Sequence, residues 1–167
     1  LFFGRIHPDK GAKEAIEIAK SCNKPLIIAG IIQDRSYYQQ YVEPYLDNHQ
    51  VTYVGSVGST QRNRLLGKAT ALLHPIQFDE PFGLSVVEAM ACGTPIVAFN
   101  RGSMPELIEH GVNGFLVSDK QQAIEHIDRI TTIQRSDCRR IVEERFTVDR
   151  MVDQYRRVYA LMLEKVA

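Results

Sequence analysis

The chain has 167 residues, of which 44% are hydrophobic and 24% are charged, a composition typical of an ordinary α/β domain that can bury a core. Its 20 Lys and Arg residues balance its 20 Asp and Glu residues, so it lacks the basic field that attracts nucleic acids or anionic lipids. Its three cysteines form no CxxC pair, and no apolar run reaches the roughly 20 residues that span a bilayer. We therefore expect a cytoplasmic protein with no nucleic-acid partner and no transmembrane segment, and leave open peripheral membrane association of the full-length protein.

The first four residues, Leu1-Phe2-Phe3-Gly4, have the pattern of a strand already in progress. This pattern suggests a fragment of a longer protein. Because no low-complexity linker interrupts the sequence, we expect residues 1–167 to form one domain.

Short apolar runs alternate with longer segments of helical character along the chain. The predicted strands are Leu1–Phe3, Leu26–Ala29, Val51–Val54, Ala71–His74, Ile96–Phe99 and Phe115–Val117. The predicted helices are Ala12–Ser21, Ser36–Asn48, Gln61–Lys68, Leu84–Ala91, Met104–His110, Lys120–Ile133, Asp137–Glu144 and Val148–Lys165. Pro44 should interrupt the second helix because proline removes a helical hydrogen bond.

Continuously apolar strands such as Ile96–Phe99 favour parallel strands that are covered by helices on both faces. The predicted fold is therefore α/β, a doubly wound parallel sheet of six strands followed by C-terminal helices. In such folds ligands bind at the C-terminal ends of the strands, so the loops that follow the strands become the candidate site.

The loop and helix between the fourth and fifth predicted strands carry the strongest functional signal. Glu88 is the only charged residue from Phe82 to Gly93, on a helix that is apolar nearly all round and is therefore predicted to be buried. A buried carboxylate needs a partner, since its desolvation costs several kcal/mol. The partner is either a neighbouring Lys or Arg or the hydroxyl groups of a bound sugar.

Glu80 favours the second of these interpretations. It lies eight positions before Glu88, and the backbone amides of Phe82, Gly83, Leu84 and Ser85 lie between them at a predicted helix start. Free amides at a helix start bind anions and oxygen-rich ligands. Two carboxylates, a glycine turn and a helix N-terminus together indicate a site for a polyol and a phosphate.

The string Glu80-Pro81-Phe82-Gly83-Leu84, followed by the string from Val87 to Val97, contains two glutamates with seven residues between them. This pattern, placed between strands, resembles the retaining GT-B glycosyltransferases called group 1 or family 4. The resemblance implies the C-terminal donor-binding domain of such an enzyme, a Rossmann-like half of a GT-B fold. It also implies sugar transfer from a nucleotide diphosphate-sugar to an unknown acceptor with retention, without a metal ion or other cofactor.

The resemblance also assigns residues. The loop from Gly4 to Gly11 is similar to the family's loop that carries Arg5 and Lys10 toward the donor diphosphate, and these two residues with Glu80 are the expected catalytic set. The expected donor-binding residues are Gly55, Val57, Phe82, Gly83, Leu84, Ser85 and Glu88. The acceptor site is expected on a missing N-terminal domain, so we expect the fragment to bind donor without transferring sugar.

Two departures from the family pattern leave the base and sugar preference open. Arg101 stands where a glycine is commoner before the turn Gly102-Ser103-Met104-Pro105-Glu106, and the loop after Gly30 lacks the frequent Gly-x-Gly.

His74 and the C-terminal segment are expected to have structural roles. His74 ends an apolar strand, and the other histidines lack the spacing of metal ligands, so no metal site is predicted. In the C-terminal segment Met151, Val152, Tyr155, Val158, Tyr159 and Met162 recur at helical spacing. Core packing explains this stripe, with an inter-domain face as the alternative for part of it.

Three rival functions remain. A glycoside hydrolase also uses a carboxylate pair, but it would leave Arg5 and Lys10 without a role. A non-catalytic nucleotide-binding domain and a GT-B sugar-nucleotide epimerase would share the same site, because the fold alone does not decide function.

Overall fold

Six short strands and eight α-helices lie within residues 1–164, the part of the chain that the computed structural model describes, and the last three helices follow the last strand. The strands are β1 (Phe2–Phe3), β2 (Leu26–Ala29), β3 (Val51–Tyr53), β4 (Leu72–His74), β5 (Ile96–Phe99) and β6 (Gly114–Val117). The helices are α1 (Ala12–Ser21), α2 (Arg35–Tyr41), α3 (Ser59–Lys68), α4 (Leu84–Ala91), α5 (Met104–Leu107), α6 (Lys120–Ile127), α7 (Arg135–Arg145) and α8 (Val148–Glu164).

The strands form two parallel three-stranded sheets, β1-β2-β3 and β4-β5-β6, rather than the single six-stranded sheet that we predicted. The two sheets meet where the N–H of Leu73 in β4 donates to the carbonyl of Leu1, at an N–O distance of 2.9 Å. The strands therefore lie in the spatial order 3-2-1-4-5-6. This is the Rossmann-like order, so the predicted α/β fold class is confirmed.

The strand order reverses between β1 and β4, and this reversal puts helices on both faces of the sheet. Right-handed crossovers that run outward in opposite directions place α1 and α4 on opposite faces. Helix α1 packs against α6, and α4 packs against α7. Every residue of β5 is buried between these layers, which explains its continuously apolar sequence.

Several helices are shorter than the sequence pattern predicted. Helix α2 ends at Tyr41, and the chain continues through a 3₁₀ turn at Glu43–Tyr45 that contains Pro44, as expected for a residue that breaks helices. Helices α5 and α6 also stop early, at Leu107 and Ile127, and 3₁₀ turns occupy Pro8–Lys10 and Ile130–Thr132. The predicted end of the last helix at Lys165 lies outside the described residues.

Helix α8 does not contribute to the core, so our prediction that core packing explains its apolar stripe is wrong. Residues 148–164 of this helix are all exposed, and Tyr155 and Tyr159 retain 56% and 60% of their accessible surface. The sequence period identified an amphipathic helix correctly, but a period does not reveal what covers the apolar face. None of the helices in residues 1–164 combines the length and apolar character needed to cross a membrane.

Candidate functional site

The loops that follow β1 and β4 meet at the point where the strand order reverses, which is where doubly wound folds bind ligands. The N–H of Gln77 donates to the carbonyl of Asp9 at 2.7 Å and joins the two loops. Gly11 has φ of 75°, and a Cβ at this position would overlap the backbone carbonyl of Pro75. Glycine is therefore required here both for its left-handed backbone and for the close approach of the loops.

Lys10 and Glu80 come together at the centre of this crevice. The Nζ of Lys10 contacts Oε2 of Glu80 across a sequence separation of 70 residues. Their side chains are only 15% and 13% exposed, so the ion pair is shielded from solvent. The ammonium group also lies 4.6 Å from the ring centroid of Phe78. A cation and a carboxylate thus face the same small volume, one suited to an anionic group and the other to hydroxyl donors.

Arg5 lies on the same loop as Lys10 but is exposed and contacts a different neighbour. Its Nη1 donates to Oε1 of Gln33, in the loop after β2. The guanidinium group is therefore accessible at the rim of the crevice.

The N-terminus of α4 is open to a ligand. Gly83 is its N-cap with φ of 93°, and no side chain caps the helix. The backbone bonds closest to its start run from the N–H groups of Val86 and Val87 to the carbonyl of Gly83. The N–H groups of Leu84 and Ser85 therefore have no partner within residues 1–164, and they add to the positive end of the helix dipole.

Exposed apolar side chains surround this helix start. Leu84 is 70% exposed and Phe82 is 43% exposed, and the ring of Phe82 packs edge-on against Phe146. Gly83 itself is buried against Met104, whose Cε would lie 2.6 Å from a Cβ at position 83.

Glu88 is half-buried with its side chain 33% exposed, so the prediction of full burial is wrong. Its partner is Arg62 of α3, whose Nη1 donates to Oε1 of Glu88 at 2.8 Å. The neighbouring-arginine interpretation therefore describes the contact of Glu88 in this structure. Sequence reasoning missed Arg62 because the packing of α3 beside α4 cannot be read from the spacing of either helix.

The loop after β5 is hydrogen-bonded to the Glu80 loop. Sequence reasoning did not predict this contact. The N–H of Ser103 donates to the carbonyl of Glu80 at 2.9 Å, and its hydroxyl donates to the carbonyl of Phe82 at 2.7 Å. Gly102 lies against the backbone of Glu80. Gly102 was the available signal, since glycine is the residue that permits a turn and a close approach of two backbones.

Gly55 and Val57 lie in the turn between β3 and α3. The carbonyl of Gly55 accepts a hydrogen bond of 2.9 Å from the N–H of Gly30, and the Tyr53 hydroxyl donates to the carbonyl of Gly30 at 2.8 Å. Val57 is half-buried, two residues before α3 begins at Ser59. The turn is thus fixed to the loop after β2 and leads directly into the helix that carries Arg62.

His74 ends β4 beside the Lys10 loop and is 5% exposed. Burial lowers the pKa of His74 to about 3, with a smaller contribution from the positive charge of Lys10. Its Nε2 has no hydrogen-bond partner in the described part of the chain. The imidazole is therefore neutral at physiological pH and packs as part of the core beneath the crevice.

Comparison with known proteins places this geometry in context. The family model for glycosyl transferases group 1 matches residues 1–146. A curated relative, the uncharacterized glycosyltransferase MJ1607 of Methanocaldococcus jannaschii, is 29% identical over 98% of this chain and 45% of its own length.

Two solved structures are also similar. The crystal structure of Anabaena Alr3699/HepE in complex with UDP and glucose is 28% identical with a TM-score of 0.79, over 95% of this chain and 48% of that one. AviGT4, a glycosyltransferase involved in avilamycin A biosynthesis, is 28% identical with a TM-score of 0.74, over 95% of this chain and 50% of that one. The chain thus spans about half the length of these relatives.

Proposed function

Because the chain belongs to the group 1 glycosyltransferase family, we propose that it is the donor-binding part of a retaining, metal-independent glycosyltransferase. The observation that carries this proposal is the meeting of Lys10, Glu80 and the uncapped start of α4 in one crevice. A nucleoside diphosphate-sugar presents both features that this crevice suits, an anionic diphosphate and a polyol.

We propose UDP as the nucleotide and UDP-glucose as the first donor to test. The support is similarity: Anabaena HepE was crystallised with UDP, and also with UDP-glucose in a structure that is 26% identical with a TM-score of 0.81. The turn at Gly55 and Val57, which follows β3 at the same edge of the sheet, is the proposed contact for the base.

The proposed catalytic work is electrostatic. As the bond between the sugar and the diphosphate breaks, negative charge grows on the departing diphosphate, and Arg5 and Lys10 would stabilise it. The free amides of Leu84 and Ser85 would add to this effect at the helix start. Removing one preorganised group of this kind typically lowers kcat by about 10²–10³-fold. Bound diphosphate would draw Lys10 away from Glu80.

The two glutamates have separate proposed roles. Glu80, released from Lys10, would accept hydrogen bonds from hydroxyls of the donor sugar. Glu88 would accept hydrogen bonds from the ribose, since carboxylates at this edge of a doubly wound sheet bind ribose hydroxyls in other nucleotide sites. Phe82, Gly83 and Ser85 would line the path between them, with Leu84 at the exposed rim.

Retention, metal independence and the identity of the acceptor are properties to be tested on the full-length protein. We propose that the acceptor binds the part of the protein that this chain lacks, so that the chain alone binds donor without transferring sugar. Transfer by the full-length protein that persists in EDTA would support metal independence. A product with the anomeric configuration of the donor would support retention, and an inverted product would refute it.

The first experiment is calorimetric titration of the chain with UDP, GDP and ADP. We expect selective binding of UDP, weakened at least tenfold in Glu88→Ala and Arg5→Ala, because each substitution removes a charged partner of the nucleotide. The control variant is Lys120→Met, which breaks an ion pair with Glu17 between α6 and α1. Absence of binding to all three nucleotides by a folded chain would refute the proposal for this fragment.

A further inference from the structure

Arg62 and Glu88 form an ion pair between two helices, and the pair engages only one side of the carboxylate. Nη1 of Arg62 donates to Oε1 of Glu88 at 2.8 Å, while Oε2 has no hydrogen-bond partner in residues 1–164. The side chains are 32% and 33% exposed, so both reach the solvent-accessible edge of the site. One oxygen of Glu88 is thus held and the other remains available to a hydroxyl donor.

The position of Arg62 connects two parts of the proposed nucleotide site. Helix α3 begins at Ser59, immediately after the turn that contains Gly55 and Val57, and Arg62 lies in its first turn. Glu88 lies in the second turn of α4, beyond the amides that we assign to the diphosphate. Because Arg62 bridges these helices, it fixes the carboxylate of Glu88, the proposed partner of the ribose, relative to the turn that we propose contacts the base.

A partly exposed ion pair of this kind contributes little to folding stability, because solvent screens the charges and ordering two long side chains costs entropy. Its effect on a ligand can be larger. A carboxylate held in one rotamer binds hydroxyl groups without losing that conformational freedom at the moment of binding. The asymmetric contact therefore favours a role in recognition over a role in stability.

We propose that Arg62 is a positioning residue that holds the Glu88 carboxylate in the orientation in which it accepts hydrogen bonds from the ribose. This inference rests on the proposed function, and it makes Arg62 a determinant of the preference for ribose over a sugar without hydroxyl groups. Arg62 acts through Glu88 and needs no contact with the nucleotide of its own.

The test compares UDP with 2′,3′-dideoxyuridine 5′-diphosphate, which lacks both ribose hydroxyls, by calorimetry on the chain. The unsubstituted chain is expected to bind UDP about tenfold more tightly than the dideoxy analogue. Arg62→Met should weaken UDP binding by about fivefold to tenfold and leave binding of the analogue within about twofold. Glu88→Gln should abolish the same discrimination, and the double variant should lose no more than Glu88→Gln alone.

Two further variants separate positioning from structure. Arg62→Lys keeps the charge but loses the directed guanidinium donor, so it should recover part of the discrimination. Lys120→Met removes a comparable ion pair between α6 and α1 and should leave the discrimination unchanged. Thermal unfolding of each variant checks that the fold is intact.

The inference and the proposed function fail in different ways. If the chain binds UDP and Glu88→Gln weakens it, but Arg62→Met has no effect or weakens both nucleotides equally, the positioning role of Arg62 is overturned and the donor site stands. If the unsubstituted chain binds neither nucleotide, the proposed function and the inference are both overturned.

Discussion

Gly102 lies directly against the backbone of Glu80, so that a Cβ at position 102 would overlap both the N and the O of Glu80. The residue has φ of 54°, in the left-handed region that glycine adopts freely. This contact between the loops after β4 and β5 fixes the position of the Glu80 backbone in the crevice. The neighbouring Ser103 adds hydrogen bonds to the same loop.

Gly102→Ala should therefore displace Glu80 and weaken donor binding. We expect UDP-glucose affinity to fall by at least tenfold, since Glu80 is the proposed partner of the donor sugar and small displacements of a binding group cause losses of this order. The matched control is Gly111→Ala, because Gly111 also has positive φ, of 83°, but a Cβ there would have open space around it. Calorimetry with UDP-glucose measures the effect, and equal losses in both variants would show that backbone strain alone is responsible.

The burial of His74 leads us to expect that the folded chain loses stability in acid. Burial lowers the pKa of His74 from its ordinary value of 6.5 to about 3, with the Lys10 charge contributing in the same direction. Between these pH values the unfolded chain binds a proton that the folded chain does not. Stability from this group is therefore complete above pH 6.5 and falls as the pH drops toward 3, by at most about 1.4 kcal/mol per pH unit.

His74→Phe should remove this dependence, because the phenyl ring fills the buried position without titrating. Denaturant unfolding between pH 7 and pH 4 would show a shallower loss of stability than the unsubstituted chain. An unaltered slope in His74→Phe would mean that other groups control the acid sensitivity.

The order of strands and helices could be predicted from the sequence because its signals are local. Continuously apolar runs such as Ile96–Phe99 are typical of buried parallel strands, and Pro44 marked the end of α2. The convergence of Lys10 and Glu80 was also accessible, since loops after adjacent parallel strands meet at the same edge. The division into two sheets could not be predicted from the sequence, because it depends on the hydrogen bonding of the short strand β1.

Contacts between different helices and loops could not be predicted in this way. Arg62 meets Glu88 only through the packing of α3 beside α4, and Gly102 meets Glu80 only through the approach of two loops. A single sequence contains no spacing rule for such pairs. The same limit explains the error at α8. The sequence period predicts the amphipathic helix, but it does not tell whether the core or another surface covers the apolar stripe.

Arg135 lies away from the proposed site, and we expect it to contribute to the free energy of unfolding. Its Nη1 donates to the carbonyl of Ala69 at 2.8 Å, and its Nη2 donates to the carbonyl of Gly67 at 2.7 Å and to Thr94 Oγ1 at 3.0 Å. The arginine thus satisfies carbonyls at the C-terminal end of α3 and complements its helix dipole. Arg135→Met should lower the free energy of unfolding by about 1–2 kcal/mol.

UDP affinity should not change in Arg135→Met, because these contacts lie outside the proposed site. Arg140 offers the control on the same helix, since its ion-pair partners in the described structure are only Asp137 and Glu144 of that helix. Its replacement by methionine should change stability little. A similar loss in both variants would point to a general effect of charge on α7.

Helix α8 gives the last prediction, which concerns the boundary of the stable fold. All residues from Val148 to Glu164 are exposed, and the family match ends at residue 146. Because residues 1–147 leave the apolar stripe on α8 largely exposed, removing residues 148–167 should cost little folding energy. We expect the truncated chain to unfold within a few degrees of the complete one and to keep its UDP affinity. Thermal unfolding followed by circular dichroism is the measurement, and a midpoint lowered by ten degrees or more would show that α8 packs on the domain in solution.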